Sequence, residues 1–127
     1  MIFMRQEKLI GKEGMKRLKS AHIAVFGLGG VGGYAAESLV RAGIGRIAFI
    51  DGDVVEESNL NRQIVATIDA VGQNKAELMA RRAKSINPLI EATAIPFFYG
   101  RDEHNDYVNT SHFSPLTSHF IVVTVGF

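Results

Sequence analysis

Residues 24–35 read AVFGLGGVGGYA and place five glycines within seven positions, directly after an apolar run. Gly27, Gly29 and Gly32 follow the G-x-G-x-x-G spacing, and Asp51 lies nineteen positions beyond Gly32. Glycine allows a tight turn and a close approach of the backbone to an anion, and the following helix offers unpaired N–H groups at its N-terminus. A carboxylate at this distance is typical of one that bonds ribose hydroxyls. The stretch predicts a nucleotide-binding loop; the alternative is a ligand-free glycine turn that packs a helix against a strand.

Apolar patterning on both sides of the loop predicts strands that alternate with helices. Short β-branched and aromatic runs predict four strands, at residues 22–26, 46–50, 90–94 and 120–125. Strands separated by helices predict the α/β class, with a Rossmann-like, doubly wound and mainly parallel sheet. Ligands of such sheets bind beyond the carboxyl ends of the strands, where residues 27–33 and 51–63 are expected to lie.

Glycine, asparagine and proline mark the ends of the predicted helices. Apolar residues at helical spacing follow the glycine loop, and Gly43 is placed to end that helix. The next helix begins near Asn74, which forms a capping box with Glu77, and ends before Pro88. Residues 7–19 predict a short amphipathic helix, broken around the glycines that it contains, Gly11 and Gly14.

The composition is that of one globular domain. The chain has 127 residues, a formal net charge of +1 and no cysteine, which excludes disulfides and thiolate metal sites. No apolar run is long enough to span a bilayer, so we expect a cytoplasmic protein without a membrane partner. The expected organisation is one nucleotide-binding domain over residues 1–127. It comprises an N-terminal helical arm (1–20), a Rossmann-like core (21–96) and a divergent tail (97–127).

The residues that follow the second strand distinguish between possible nucleotides. Asp51 and Asp53 precede the run SNLNRQ, which comprises Ser58, Asn59, Leu60, Asn61, Arg62 and Gln63, and Lys75 comes later. These side chains concentrate amide, guanidinium and ammonium donors at one edge of the sheet, as a triphosphate would require. Lys75 lies in the first turn of a helix, where a cation opposes the macrodipole unless an anion is near. Taken alone, Lys75 is more simply interpreted as a solvated lysine that points away.

The ordered motifs GLGGVG, DGD, SNLNRQ and VGQNKAE resemble the ubiquitin-activating-type adenylating enzymes of the ThiF/MoeB/HesA group. The resemblance extends from about residue 5 to residue 88. Within the group, LIGKEGMKRLK and NRQIVAT are most similar to the tRNA threonylcarbamoyladenosine dehydratase branch. The resemblance implies ATP-dependent activation of a carboxylate as an acyl-adenylate, with Mg²⁺ assisting and pyrophosphate leaving. In the dehydratase branch the carboxylate belongs to a threonylcarbamoyl group on tRNA, which is then cyclised.

The resemblance also assigns roles to residues that match the family's motifs. Gly30 and its neighbours would approach the phosphates, Asp51 would hold the ribose, and Asp53 would help to orient the nucleotide or metal. Asn59, Arg62 and Lys75 would contact the phosphates, with Gln63 in support. Arg5 matches an arginine that family members insert into the neighbouring subunit's site, which implies a homodimer. The catalytic set expected from this resemblance is Arg62, Lys75 and Arg5, and it includes no general base.

The C-terminal region departs from the family pattern. Family members carry a Mg²⁺-binding aspartate just after the strand that corresponds to residues 120–125, whereas this sequence continues with Gly126 and Phe127. We therefore expect a truncated version that lacks the metal-binding carboxylate and the C-terminal half of the family. Residues 97–119 contain three histidines among acidic residues, but their spacing matches no metal-ligand motif.

Three alternative functions remain open at this point. The adenylated carboxylate could instead be the C-terminus of a ubiquitin-like sulfur carrier. The chain could also be a non-catalytic module for nucleotide binding or dimerisation, since the metal carboxylate is missing. An NAD-dependent oxidoreductase would share the glycines and Asp51, but it would leave Asn59, Arg62 and Lys75 without a function.

Overall fold

The structure is a computed structural model, and it describes residues 2–98 together with the backbone of residues 119–123. Its helices are α1 (Met4–Ser20), α2 (Gly30–Ala42) and α3 (Lys75–Ile86). Its strands are β1 (His22–Phe26), β2 (Arg46–Ile50), β3 (Glu91–Ile95) and β4 (His119–Val123). Two single 3₁₀ turns, Glu57–Asn59 and Ile68–Ala70, lie in the connection between β2 and α3. In the described ranges no helix has the length and apolar character needed to cross a membrane.

The four strands form one parallel sheet in the order β3-β2-β1-β4. Because β1 is central, the chain moves outward through β2 to β3 on one side, and β4 pairs with β1 on the other. All four strands point the same way, so their carboxyl ends share one edge of the sheet, which we call the carboxyl edge. The glycine loop follows β1 and the 51–63 connection follows β2, so both begin at that edge. The prediction of an α/β, Rossmann-like, parallel sheet is confirmed.

The main hydrophobic core lies between the sheet and the helices α2 and α3. Alternate residues of β1 and β2 point into it, and Ile47, Phe49 and Val25 are completely buried there. Helix α3 contributes a stripe of small and flexible side chains, Ala76, Met79, Ala80 and Ala83. The intervening residues of the strands, Ala24, Ala48, Ile50 and Ile95, form a second, smaller cluster. Strands with apolar residues buried on both faces are typical of a parallel α/β sheet.

Helix α1 packs where the first helix crossover returns to the sheet. The amide of Gly45 donates to Leu18 O at 3.2 Å, and a Cβ on Gly45 would lie 1.7 Å from Lys19 O. Only glycine therefore allows the end of α1 to approach the start of β2 so closely. At the other end of α1, the Gln6 side chain donates to the carbonyl of Ala42 in the last turn of α2. These contacts place α1 at the C-terminal end of α2.

Most element boundaries agree with those predicted from the sequence, and the remaining differences are small. Strands β1 and β2 match residue for residue, α2 ends at Gly43 in the left-handed conformation, and α3 begins directly after Asn74. The prediction for residues 7–19 was too short, and it was wrong at Gly14, which is helical; the only break is at Gly11, with φ 77°. Strand β3 is shifted by one residue, to Glu91–Ile95, and β4 begins one residue early, at His119, while residues 124–125 lie outside the described residues. The capping box is one-sided: Asn74 Oδ1 accepts from Glu77 N–H at 3.0 Å.

Candidate nucleotide-binding site

The glycine loop connects the central strand to the N-terminus of α2. Gly27 has φ 90°, a conformation that favours glycine, and its N–H donates to Ile50 O at 2.9 Å. Helix α2 then begins at Gly30 without a side-chain cap and without an acidic residue in its first turn. The N–H groups of that turn, at Gly30 and its neighbours, and the positive end of the macrodipole therefore have no anionic side chain of α2 beside them. This is the local geometry that binds phosphate in nucleotide-binding folds.

Asp51 connects the glycine loop to the end of β2. Its Oδ2 accepts from Leu28 N–H at 2.8 Å, and its Oδ1 accepts from Asp53 N–H at 2.8 Å. The residue is 8% exposed, whereas Asp53 is exposed. Each carboxylate oxygen keeps a second lone pair, so a ribose hydroxyl could donate to Asp51 without displacing the protein's own bonds. The carboxylate thus has a structural role in addition to the one expected of it.

The SNLNRQ run forms a compact turn beside the first turn of α2. Asn59 is buried, and its Oδ1 accepts from Glu56 N–H at 2.9 Å, so this side chain closes the 3₁₀ turn Glu57–Asn59. Arg62 is exposed, and its Nη1 donates to Ser58 O at 2.9 Å and to Asn61 Oδ1 at 3.0 Å. Gln63 is buried and Leu60 half-buried.

Gly33 brings this turn to the glycine loop. A Cβ on Gly33 would lie 2.9 Å from Cγ2 of Ile64, the residue that follows the SNLNRQ run. The absence of a side chain on Gly33 therefore lets the run pack directly on the start of α2. The structure thus brings the run and the glycine loop together, as the sequence predicted for ligand-binding segments of a parallel sheet.

Lys75 is the first residue of α3, and it is only 5% exposed. The amide of Lys75 donates to Asp53 O at 3.0 Å, which fixes its backbone at the carboxyl edge. None of the ion pairs among the described residues includes Lys75. A buried ammonium group at a helix N-terminus is unfavourable unless an anion accompanies it. The alternative of a well-solvated lysine does not fit this burial.

Asn74 is a residue that the sequence indicated only as a helix cap. Its Nδ2 donates to Asp51 O at 2.9 Å and to Asp53 O at 3.3 Å, while its Oδ1 caps α3. Asparagine is common at N-caps, so the cap accounted for Asn74 and the pattern gave no sign of the two donor contacts.

The remaining predicted residues are not gathered at this edge within one chain. Arg5 is exposed near the start of α1, beside Gln6, which contacts the C-terminal end of α2. The C-terminal end of α2 lies about 18 Å from Gly30 along the helix axis, at 1.5 Å per residue. Of the tail histidines, His104 and His112 lie outside the described residues, as do Gly126 and Phe127, and only the backbone of His119 is described. Within the described ranges no group of three or more histidine, aspartate or glutamate side chains is placed to hold a metal ion.

A sequence profile of the ThiF family matches residues 3–123, which includes all of the motifs described above. The chain belongs to the ThiF family. Over 105 residues it is 46% identical to the tRNA threonylcarbamoyladenosine dehydratase of Bacillus subtilis, a match that covers 83% of this chain and 41% of the relative. A sulfur carrier protein adenylyltransferase of Thermus thermophilus is 42% identical over 87 residues, with 68% of this chain and 32% of the relative covered.

A solved structure of a relative shows the same fold. The Escherichia coli dehydratase TcdA, crystallised in complex with ATP, superimposes with a TM-score of 0.84 at 38% identity. The superposition covers 97% of this chain and 48% of TcdA. The chain spans about two fifths of the length of the curated dehydratases that it matches. Family membership and fold are therefore established, and the match includes the whole of the carboxyl edge.

Proposed function

We propose that this chain binds ATP at the carboxyl edge and belongs to an enzyme that adenylates a carboxylate. The observation that carries the proposal is Lys75, a cation that is buried in the first turn of α3 and forms no ion pair with the described side chains. A bound polyphosphate supplies the missing anion. The uncapped N-terminus of α2 lies at the same edge and offers N–H donors to the same ligand.

The residues at this edge divide between the ribose and the phosphates. Asp51 is proposed to accept from a ribose hydroxyl, and the N–H groups of the loop containing Gly27, Gly29, Gly30 and Gly32 to face the phosphates. Arg62 and Lys75 are proposed to neutralise phosphate charge. Asn59 is likewise proposed to contact the phosphates, with Gln63 in support; both are buried, and Asn59 Oδ1 also closes the turn that precedes Arg62. We propose that Mg²⁺ enters with the triphosphate, whose oxygens supply ligands in such sites, and that Asp53 assists.

The proposed reaction is an adenylyl transfer. A carboxylate oxygen of the substrate attacks the α-phosphorus of ATP, the bond to the bridging oxygen breaks, and pyrophosphate leaves with that electron pair. The attacking group is already ionised, so the step needs no general base. Lys75 and Arg62 stabilise charge on the phosphates and hold them in position, which are the contributions that such a transfer requires.

A tRNA-linked carboxylate is the proposed substrate, because the curated relatives with the greater coverage of this chain are tRNA threonylcarbamoyladenosine dehydratases. The expectation that a homodimer forms, in which Arg5 serves the neighbouring subunit, is retained as part of the proposal. A cytoplasmic location is proposed because the relatives modify tRNA. The division into an arm, a core and a tail likewise remains a proposal.

Nucleotide titration tests the proposal directly. ATP with Mg²⁺ is expected to raise the melting temperature of the 127-residue chain and to bind with a measurable heat, while NADH does neither. The reverse result, stabilisation by NADH and none by ATP, would refute ATP binding. Exchange of labelled pyrophosphate into ATP then tests whether the chain also catalyses adenylation. Binding without exchange would favour the alternative of a non-catalytic nucleotide-binding module.

A second candidate substrate is the C-terminal carboxylate of a ubiquitin-like sulfur carrier. It is favoured by the 42% identity to a sulfur carrier protein adenylyltransferase over a stretch that covers 68% of this chain. Pyrophosphate exchange that depends on added tRNA would support the first candidate. Exchange that depends on a carrier protein with an intact C-terminus would support the second.

A further inference from the structure

Asn74 uses all of its amide hydrogen-bonding groups on two different elements. Its two Nδ2 bonds, 2.9 Å to Asp51 O and 3.3 Å to Asp53 O, lead to the turn that follows β2. Its Oδ1 accepts from Glu77 N–H at 3.0 Å in the first turn of α3. One side chain therefore fastens the end of β2 to the beginning of α3.

The end of β2 and the start of α3 are proposed to contact opposite ends of the ligand. Asp51, at the end of β2, is the ribose residue, and its carboxylate also reaches the glycine loop through Leu28 N–H. Lys75 follows Asn74 directly and is the phosphate residue. A path of hydrogen bonds and one peptide bond thus runs from the glycine loop through Asp51 and Asn74 to Lys75.

Helix capping alone does not account for an asparagine at this position. Serine and aspartate cap helices about as well, because capping requires only an acceptor. Among the residues that are strong N-caps, asparagine alone carries a side-chain N–H donor together with the acceptor. The donor group of Asn74 is what reaches the two carbonyl groups, so the amide performs a task that a cap does not need.

We infer that Asn74 is a positioning residue for nucleotide binding, which sets the position of Lys75 relative to Asp51. This inference rests on the proposed function. Asp51 stays in place without Asn74, because Leu28 N–H and Asp53 N–H hold its carboxylate. The start of α3 then keeps two backbone hydrogen bonds to the turn, from Lys75 N–H to Asp53 O at 3.0 Å and from Val55 N–H to Gln73 O at 2.9 Å, which together form the bridge between Val54 and Asn74. Loss of the Asn74 side-chain amide is therefore expected to displace Lys75, which faces the phosphates, more than Asp51, which faces the ribose.

This difference predicts a change in the ratio of two affinities. AMP and ATP share the ribose contact, but only ATP extends a triphosphate towards Lys75. A substitution that displaces the start of α3 is expected to raise the Kd of ATP strongly and the Kd of AMP only slightly. A substitution that merely lowers the stability of the fold raises both Kd values by the same factor.

The test compares Asn74→Ser with Asn87→Ser, the same exchange at the opposite end of α3. Asn87 is buried, and its Oδ1 accepts from Leu89 N–H at 3.1 Å, so its loss is expected to affect stability only. In calorimetric titrations of the full 127-residue chain, N74S is expected to raise the Kd of ATP about tenfold and that of AMP less than about threefold. N87S is expected to leave the ratio of the two Kd values unchanged. Asn74→Asp, which keeps the cap acceptor and removes both donors, is the second variant and is expected to shift the ratio the same way.

The outcomes separate the inference from the proposed function. If the wild-type chain binds ATP while N74S and N74D keep its ratio of Kd values, Asn74 is only a cap and the inference is wrong. If N74S and N87S weaken both nucleotides equally, the role is structural and the inference is again wrong. If the wild-type chain binds neither nucleotide, the proposed function itself fails.

Discussion

At the scale of single residues, Lys75 combines three properties that conflict in the absence of a ligand. It is 5% exposed, it carries a positive charge, and it begins a helix whose macrodipole is positive at that end. Lys75 is therefore expected to lower the stability of the free protein and to strengthen the binding of ATP. The two effects can be measured separately.

Lys75→Met tests both effects of Lys75. Methionine keeps much of the stem and removes the charge, so the free energy of unfolding of the free protein is expected to rise by about 0.5–1 kcal/mol in urea titrations. The Kd of ATP is expected to rise at least about tenfold, since a charge-assisted contact to phosphate is lost. Lys84→Met, an exposed lysine in the last turn of the same helix, is the matched control and should leave the Kd unchanged. A K75M protein that is less stable and binds ATP normally would show that Lys75 is structural.

A second residue-scale prediction concerns pH. Thr67 Oγ1 donates to Asp69 Oδ1 at 2.6 Å, and this hydrogen bond, followed by one from the backbone, lowers the pKa of Asp69 from its ordinary value of 3.8. Because the pKa is lower in the folded state, the contribution of Asp69 to stability is complete above pH 3.8 and is lost as the pH falls through the folded pKa. Thr67→Val is expected to return the pKa of Asp69 towards its ordinary value in a carboxyl NMR titration. Thr93→Val, at an exposed position on β3, is the control; an unchanged Asp69 in T67V would refute the assignment of the cause.

At the scale of elements, the sequence predicted what local patterns encode. β1 and β2 are short runs with four apolar residues each, which end before Gly27 and Asp51. The ends of α2 and α3 are marked by Gly43 and by Asn74 and Pro88, so these boundaries could be located from apolar patterning and capping. The extent of α1 could not, because its first residues lack amphipathic spacing and are fixed by contacts such as that of Gln6 with Ala42. The break at Gly11 was predicted, but Gly14 has the same intrinsic flexibility and stays helical. Intrinsic propensity alone does not separate the two.

For the candidate site, too, the sequence indicated some features and not others. The motif residues Asp51, Arg62 and Lys75 could be proposed as site residues from their type and order along the chain. The donor contacts of Asn74 and the structural role of Asn59 could not, because both depend on which backbone groups the folded loops bring within reach. Side chains that bond the backbone of a distant segment leave no periodic signal in the sequence.

The contact between α1 and β2 yields a prediction about elements. Gly45 has no side chain where the carbonyl of Lys19 approaches, and a Cβ there would lie 1.7 Å from that oxygen. Gly45→Ala is therefore expected to force α1 away from the sheet and to lower the free energy of unfolding by about 2–4 kcal/mol. Gly72→Ala is the control for backbone strain without a steric clash, because Gly72 has φ 88° and no atom lies within 4 Å of the added Cβ. This variant is expected to lower the free energy of unfolding by only about 1–2 kcal/mol. Equal losses in the two variants would mean that α1 does not depend on this close approach.

At the scale of the whole molecule, the position of Arg5 keeps it away from the candidate site of its own chain. Arg5 is exposed on α1, which packs at the C-terminal end of α2, while the proposed ligand lies at the N-terminal end of the same helix. An arginine cannot span the length of α2, about 18 Å, within its own chain. If Arg5 contacts phosphate, it therefore does so in a neighbouring copy, as the proposed homodimer requires.

Mixing two deficient variants tests this arrangement. Arg5→Ala and Lys75→Met are each expected to bind ATP weakly, because every site in either homodimer lacks one cation. In a mixed dimer, the site of the R5A chain keeps Lys75 and receives an intact Arg5 from its partner. Random exchange of equal amounts makes half of the dimers mixed, so about a quarter of all sites should regain wild-type affinity. Recovery of high-affinity ATP binding at about that stoichiometry, absent from either variant alone, is the expected calorimetric result. If Arg5 acted within its own chain, every site in the mixture would still lack one cation and no recovery would follow.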